Sequence, residues 1–223
     1  LSANASERPL SDVVADIRQA IAQTKLPEGY FITLGGQFQA QEEASRLVGL
    51  LSIVSLGLMF IVLYSRYKSI TLSALIMVNI PLALVGAVIG LWLSGQPLSV
   101  AALVGFITLA GISVRNGILK VSHYINLMRF EGEDFNQRMI IRGSLERLSP
   151  VLMTALVTAV ALAPLLFEAE QPGTEVLHPV AVVIFSGLIS STLLDTFLTP
   201  AMFWLFGRKD AERLENDKDA EAL

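Results

Sequence analysis

The sequence predicts an all-α membrane bundle of five transmembrane helices with a small α/β periplasmic piece at the N-terminus. Three observations predict it. The 223 residues are 53% hydrophobic and only 16% charged, where a soluble domain carries about a quarter charged residues. Five apolar runs each reach roughly 18 to 28 residues, enough to cross about 30 Å of hydrocarbon at 1.5 Å per residue. The loops between those runs differ in their Lys and Arg content, as the two sides of a membrane require.

Residues 1–46 read as the end of an outer subdomain. Ser11 suits a helix N-cap, and Val13, Val14, Ile17 and Ile21 follow at helical spacing. LPEGY breaks that helix, and Tyr30–Leu34 (YFITL) reads as a short strand ended by Gly35 and Gly36. One helix and one strand bury too little core to fold alone. No signal-peptide pattern follows Leu1, so the chain is expected to be a piece of a longer one.

Residues 47–207 carry the spans, roughly 47–64, 70–93, 98–121, 150–167 and 179–206. Lipid offers the backbone no hydrogen-bond partner, so these runs are expected to be helices. A cytoplasmic connector is expected over 122–149. There Phe135, Met139, Leu145 and Leu148 alternate with arginines, the pattern either of an interfacial amphipathic helix or of an ordinary connector. Residues 208–223 are a charged cytoplasmic tail, expected to be disordered.

Orientation follows from the loops. Arg66 and Lys68 lie in one; Arg129, Arg138, Arg142 and Arg147 lie in the connector; Arg208 and Lys209 begin the tail. The 94–97 loop is uncharged, and the 168–178 loop carries Glu168, Glu170 and Glu175 without Lys or Arg. The positive-inside rule therefore puts the C-terminus in the cytoplasm and the N-terminus outside, in the periplasm of a Gram-negative cell. Trp92 and Trp204 sit near opposite membrane faces, as an aromatic belt would have them.

Several function classes drop out. A net charge of −4 disfavours nucleic acid, and the absence of cysteine removes thiolate catalysis and Cys metal sites. HExxH, P-loop and dinucleotide-binding patterns are absent. No enzyme activity, cofactor or internal metal site is expected. His123 and His178 fall on opposite sides of the membrane, and Met59 and Met77 read as packing residues.

The informative feature is Arg115, beside Asn116, in ITLAGISVRNGILKVSHY. It lies about 9 to 15 Å from the cytoplasmic end of its span at 1.5 Å per residue. An arginine there costs about 2.5–3.5 kcal/mol on insertion scales. Snorkelling to the inner interface is one resolution; pairing with an intramembrane carboxylate is the other. The acid well inside another span is Asp195, about 16 Å from the cytoplasmic end of its helix. Thr154, one turn into its helix from the same side, adds a hydroxyl.

Arginine keeps its proton in proteins, so Arg115 is a fixed charge rather than a carrier. A carboxylate beside it stays ionised, and one that loses it is driven toward protonation. A movement that breaks such a pair loads or unloads a proton, which is a relay for proton-driven transport. A static salt bridge at Asp195 is the alternative. Gly86 and Gly90 form a GxxxG that lets helices approach closely, and Gly105, Gly111 and Gly117 recur beside Arg115. Pro81, Pro164 and Pro200 can bend their helices.

The runs VGFITLAGISVRNGILKVSHY, IIRGSLERLSPVLMTAL and EVLHPVAVVIFSGLISSTLLDTFLTP resemble the C-terminal end of resistance-nodulation-division (RND) efflux pumps. The heavy-metal branch, of the cobalt-zinc-cadmium type, is the nearest likeness. LPEGYFITLGGQFQAQEEA and NIPLALVGAVIGLWLSGQPLSV fit the same family, so the resemblance covers nearly the whole chain. It implies that the five spans are the last five of twelve and that residues 1–46 end a ferredoxin-like porter subdomain. It implies a homotrimer in the bacterial inner membrane, working with a periplasmic adaptor and an outer-membrane channel, that exports divalent metal by proton antiport.

In drug exporters of that superfamily a lysine and an asparagine stand where Arg115 and Asn116 are, paired with acids on the fourth span. Thr154 matches the threonine that joins that network. Those acids belong to the missing N-terminal half of the pump, and they compete with Asp195 as partners of Arg115. The copper/silver branch carries an acid near the Arg115 position, a departure that argues against those metals. A multidrug exporter of the same family, or a membrane scaffold that transports nothing, are the rival readings.

Overall fold

The computed structural model describes residues 10–23, 37–167 and 177–221. Every regular element among them is a helix: α1 (Leu10–Gln23), α2 (Gln37–Tyr67), α3 (Ile70–Met77), α4 (Asn79–Leu93), α5 (Val100–Glu131), α6 (Gln137–Phe167), α7 (Leu177–Phe206) and α8 (Arg208–Glu221). The expected strand at 30–34, and with it the α/β character of the N-terminal piece, lies outside the described residues. Five segments are long and apolar enough to cross a membrane: α2, α3 with α4, α5, α6 and α7.

Local chemistry sets several boundaries. Ser69 caps α3, its hydroxyl accepting from Leu72 N–H at 3.2 Å, and Ser99 caps α5 the same way toward Ala102. The second span divides at Val78 because Pro81 has no N–H to offer the Met77 carbonyl four residues back. Val78 N–H still reaches Ala74 O at 2.9 Å, so the division is a kink rather than a break. Gly132, with φ of 65°, ends α5 in the left-handed region.

The connector is shorter than expected. Residues 122–131 extend α5 and 137–149 begin α6, leaving 132–136 between them. Both extensions are held by side chains. Arg142 bonds Glu131 at 2.6 Å, Glu133 at 2.8 Å and Glu146 at 2.9 Å, while His123 meets Glu146 at 2.7 Å. Met139 is wholly buried, and Phe135 stacks on Trp204 with centroids 5.4 Å apart. The tail, expected to be disordered, forms α8 over Arg208–Glu221. Ala211 is buried, and Arg129 donates to the Leu214 carbonyl at 2.5 and 2.9 Å.

α7 is the central helix, packed by α4, α5 and α6 and touched by α3 and α8. Along α4, Gly86 lies against Ser190 and Gly90 against Ser186, so closely that a methyl at either glycine would collide with the serine side chain. Small residues on both helices permit that approach. Ser190 uses it to donate to the Leu82 carbonyl at 3.1 Å. Gly117 packs on the kink, where an added Cβ would lie 2.9 Å from Asn79 Nδ2. Gly111 does not fit the expected packing role: nothing lies within 4 Å of its Cβ position.

α2 and α6 flank the bundle. Leu50, Ile53, Leu58 and Ile61 on α2 are exposed, as are Met153, Leu156, Val157 and Val160 on α6. In a membrane such faces are covered by lipid or by further helices.

Candidate functional site: a cationic cleft and a buried ion pair

α5 presents two polar faces. Leu109, Ser113, Asn116, Gly117, Lys120 and Tyr124 fall on one buried stripe at three- and four-residue spacing. Arg115 and Lys120 are five residues apart, about 140° around the helix at 3.6 residues per turn. Arg115 is accordingly exposed while Lys120 is buried.

The exposed side opens into a cleft of about 90 Å³ between α5 and α6, lined by Arg115, Asn116, Leu119, Lys120, Arg147, Pro150, Val151 and Thr154. Three of the four residues expected to form a relay, Arg115, Asn116 and Thr154, therefore meet here. The lining holds three cationic side chains and no carboxylate. Arg115 forms no ion pair among the described residues. The Thr154 hydroxyl donates to Val151 O at 2.9 Å, within its own helix. Arg147 Nε is buried without a hydrogen-bond partner among the described residues.

Asp195 is the fourth expected residue, and it does not pair with Arg115. Its Oδ2 accepts from Lys120 Nζ at 2.6 Å, and the same ammonium reaches the Asp195 carbonyl at 2.8 Å. Both side chains are 4% exposed. The cause is azimuth: α7 packs on the face of α5 that carries Ser113 and Lys120, and Arg115 projects from another. Ser113 and Ser191 mark the same seam, their hydroxyls 3.0 Å apart.

Beyond the pair lies a second pair of polar groups. Thr199 Oγ1 donates to Asp195 Oδ1 and also lies 3.1 Å from Asn79 Oδ1. A threonine hydroxyl has one proton, so it serves one of these acceptors at a time. Asn79 opens α4 at the kink, and its Nδ2 is buried without a partner among the described residues. A chain of polar groups thus runs from the cleft through Lys120, Asp195 and Thr199 to Asn79.

Sequence reasoning missed Lys120, Asn79 and Thr199. Lys120 sits one residue from the expected end of its span, where a lysine ordinarily reaches the headgroups. The signal that could have found it is its place in the stripe Leu109, Ser113, Asn116, Lys120. Among the described residues no three His, Cys, Asp or Glu side chains cluster as metal ligands.

A family model described as the AcrB/AcrD/AcrF family matches residues 1–207. The chain is 37% identical, over 95% of its length, to the cobalt-zinc-cadmium resistance protein CzcA of Cupriavidus metallidurans, covering 20% of that protein. It is 41% identical over its whole length to Protein HelA of Legionella pneumophila, covering 21% of it. A crystal structure of a heavy metal efflux pump, in its crystal form II, superposes with a TM-score of 0.77 at 36% identity, over 91% of this chain and 20% of that one. The chain spans about a fifth of the length of these relatives.

Proposed function

Because the chain belongs to the AcrB/AcrD/AcrF family of RND efflux transporters, we propose that it is the C-terminal membrane part of a proton-driven exporter of divalent heavy-metal cations of the cobalt, zinc and cadmium class. The observation that carries this reading is the cleft. Arg115, Lys120 and Arg147 converge on it with Asn116 and Thr154 and no carboxylate. Lys120 is already met by Asp195, whereas Arg115 has no ion pair among the described residues, and an arginine left unmet in a span is costly. Acids from the missing N-terminal half are the natural complement, and alternate engagement and release by Arg115 would load and discharge their protons. Asn116 and Thr154 would orient those acids.

Relatives named for cobalt, zinc and cadmium resistance support the substrate class. On this reading the metal ligands belong to the rest of the pump. The working unit is proposed to be a homotrimer in the bacterial inner membrane, joined to a periplasmic adaptor and an outer-membrane channel, with its C-terminus in the cytoplasm. Gly86, Gly90 and Gly117 would serve as close-packed surfaces on which the helices shift. A scaffold that transports nothing gains nothing from a cationic cleft, which disfavours that rival.

The test is Arg115→Ala in the full-length pump. Loss of resistance to cobalt, zinc and cadmium at unchanged expression is the expected result, and parental resistance would refute the relay. A panel of the same metals beside lipophilic drugs separates a metal exporter from a multidrug one.

A further inference from the structure

We propose that Lys120 and Asp195 form a second proton-binding site, on the seam of α5 and α7, whose state is passed through Thr199 to Asn79 at the α3/α4 kink. This rests on the proton-driven reading of the cleft and adds to it a site that the cleft residues alone do not contain.

The geometry has three parts. First, Lys120 belongs to both places: its ammonium is on Asp195, and its side chain lines the cleft with Arg115. A lysine stem has four rotatable carbons, so Nζ can leave Asp195 for an acid that enters the cleft. Second, Asp195 has no other cation among the partners the structure gives it; a buried carboxylate stripped of its cation is driven to bind a proton. Third, Thr199 has one proton and two acceptors, Asp195 Oδ1 and Asn79 Oδ1.

The step is balanced. The Lys120 ammonium keeps its three protons and moves into the cleft. One proton, arriving through the cleft as hydronium and leaving neutral water behind, forms an O–H bond on the Asp195 carboxylate, which becomes neutral. The new carboxyl donates to Thr199 Oγ1, and the Thr199 hydroxyl turns its own proton to Asn79 Oδ1. Return of Lys120 reverses each move and releases one proton. Asn79 is thereby bonded in one state and left without that donor in the other, at the point where Pro81 has already weakened the helix.

The groups surrounding the pair are consistent with this. From α5 come Arg115 and Tyr124, the latter buried with its hydroxyl 2.6 Å from Ser144 Oγ. Arg147 faces the cleft from α6. The kink offers neutral Asn79, and α7 itself offers neutral Ser191, Thr192 and Thr199. The cations of the cleft favour release of the proton when Lys120 returns, and the neutral wall leaves Lys120 as the group that sets the charge of Asp195.

The experiment uses the full-length pump in proteoliposomes, with Zn²⁺ as the probe and an internal pH dye. Infrared spectra are recorded on the same preparations. Lys120→Met is expected to show a protonated-carboxyl absorption at neutral pH that Lys120→Met/Asp195→Asn lacks. A Lys120→Met/Asp195→Leu variant replaces the pair with apolar side chains of similar volume, a change buried pairs often tolerate. It is expected to fold and to lose proton-coupled Zn²⁺ flux. Thr199→Val is expected to keep the carboxyl absorption of the Lys120→Met background and lose flux. A folded apolar double variant with parental flux, or Lys120→Met without the new absorption, overturns the proposal and leaves a structural bridge. Parental flux in Arg115→Ala would sink the cleft reading instead, while the infrared result, which needs no transport, would still decide the second site.

Discussion

Lys120 Nζ lies 2.6 Å from Asp195 Oδ2, joining α5 to α7 across 75 residues of sequence, with both side chains almost wholly removed from solvent. A buried pair of this kind is not in itself a strong source of stability, because each ion gives up its hydration to form it. Its removal by halves is another matter.

Asp195→Ala strands the Lys120 ammonium in the seam. The loss is expected to be about 3–5 kcal/mol, the range for breaking a buried pair from one side. Thermal unfolding in detergent should show it, with the Lys120→Met/Asp195→Leu double variant much closer to the parent. Equal losses in both would mean that packing, not charge, governs the seam.

Close approach of α4 and α7 depends on Gly86. Gly86→Val places a branched side chain where Ser190 already sits, and overpacking of this sort typically costs about 1–3 kcal/mol. Gly111→Ala is the matched control, since nothing lies within 4 Å of the added methyl. A melting temperature lowered by the first substitution and not by the second is the expected pattern.

The start of α3 rests on Ser69, whose hydroxyl accepts from Leu72 N–H at 3.2 Å. Ser69→Ala removes the cap and is expected to cost about 1 kcal/mol, read as a lowered unfolding midpoint. Ser69→Asp should preserve the capping bond and recover part of the loss.

Phe135 lies 5.4 Å from the Trp204 ring at an interplanar angle of 7°, and 5.7 Å from Phe203. Phe135→Ala is expected to lower stability by at least about 0.5–1.5 kcal/mol, the part due to the aromatic pair beyond area burial. It should also shift Trp204 emission. Trp92, 79% exposed at the other end of the bundle, is the second fluorophore; repeating the measurement in a Trp92→Phe background isolates the signal.

What the sequence by itself determined is what depends on local composition. Runs of apolar residues longer than a bilayer is thick have one stable backbone form, so five spanning helices could be read off directly. The grouping of Arg115, Asn116 and Thr154 came from the family resemblance rather than from spacing, and the structure sets all three on one cleft. Residues 122–131 and 208–221 were less legible. Their charges resemble those of solvated loops, and what holds them helical is distant: Glu131, Glu133 and Glu146 around Arg142, and Arg129 on the Leu214 carbonyl.

The partner of Asp195 was decided by tertiary structure alone. Depth along a helix is a sum over residues and is written in the sequence; azimuth toward a neighbour depends on which face the neighbour packs. Arg115 and Lys120 differ by about 140° at 3.6 residues per turn, and only the docking of α7, through Ser191 on Ser113 and Gly187 on Leu109, turned Lys120 toward the carboxylate and Arg115 toward the cleft.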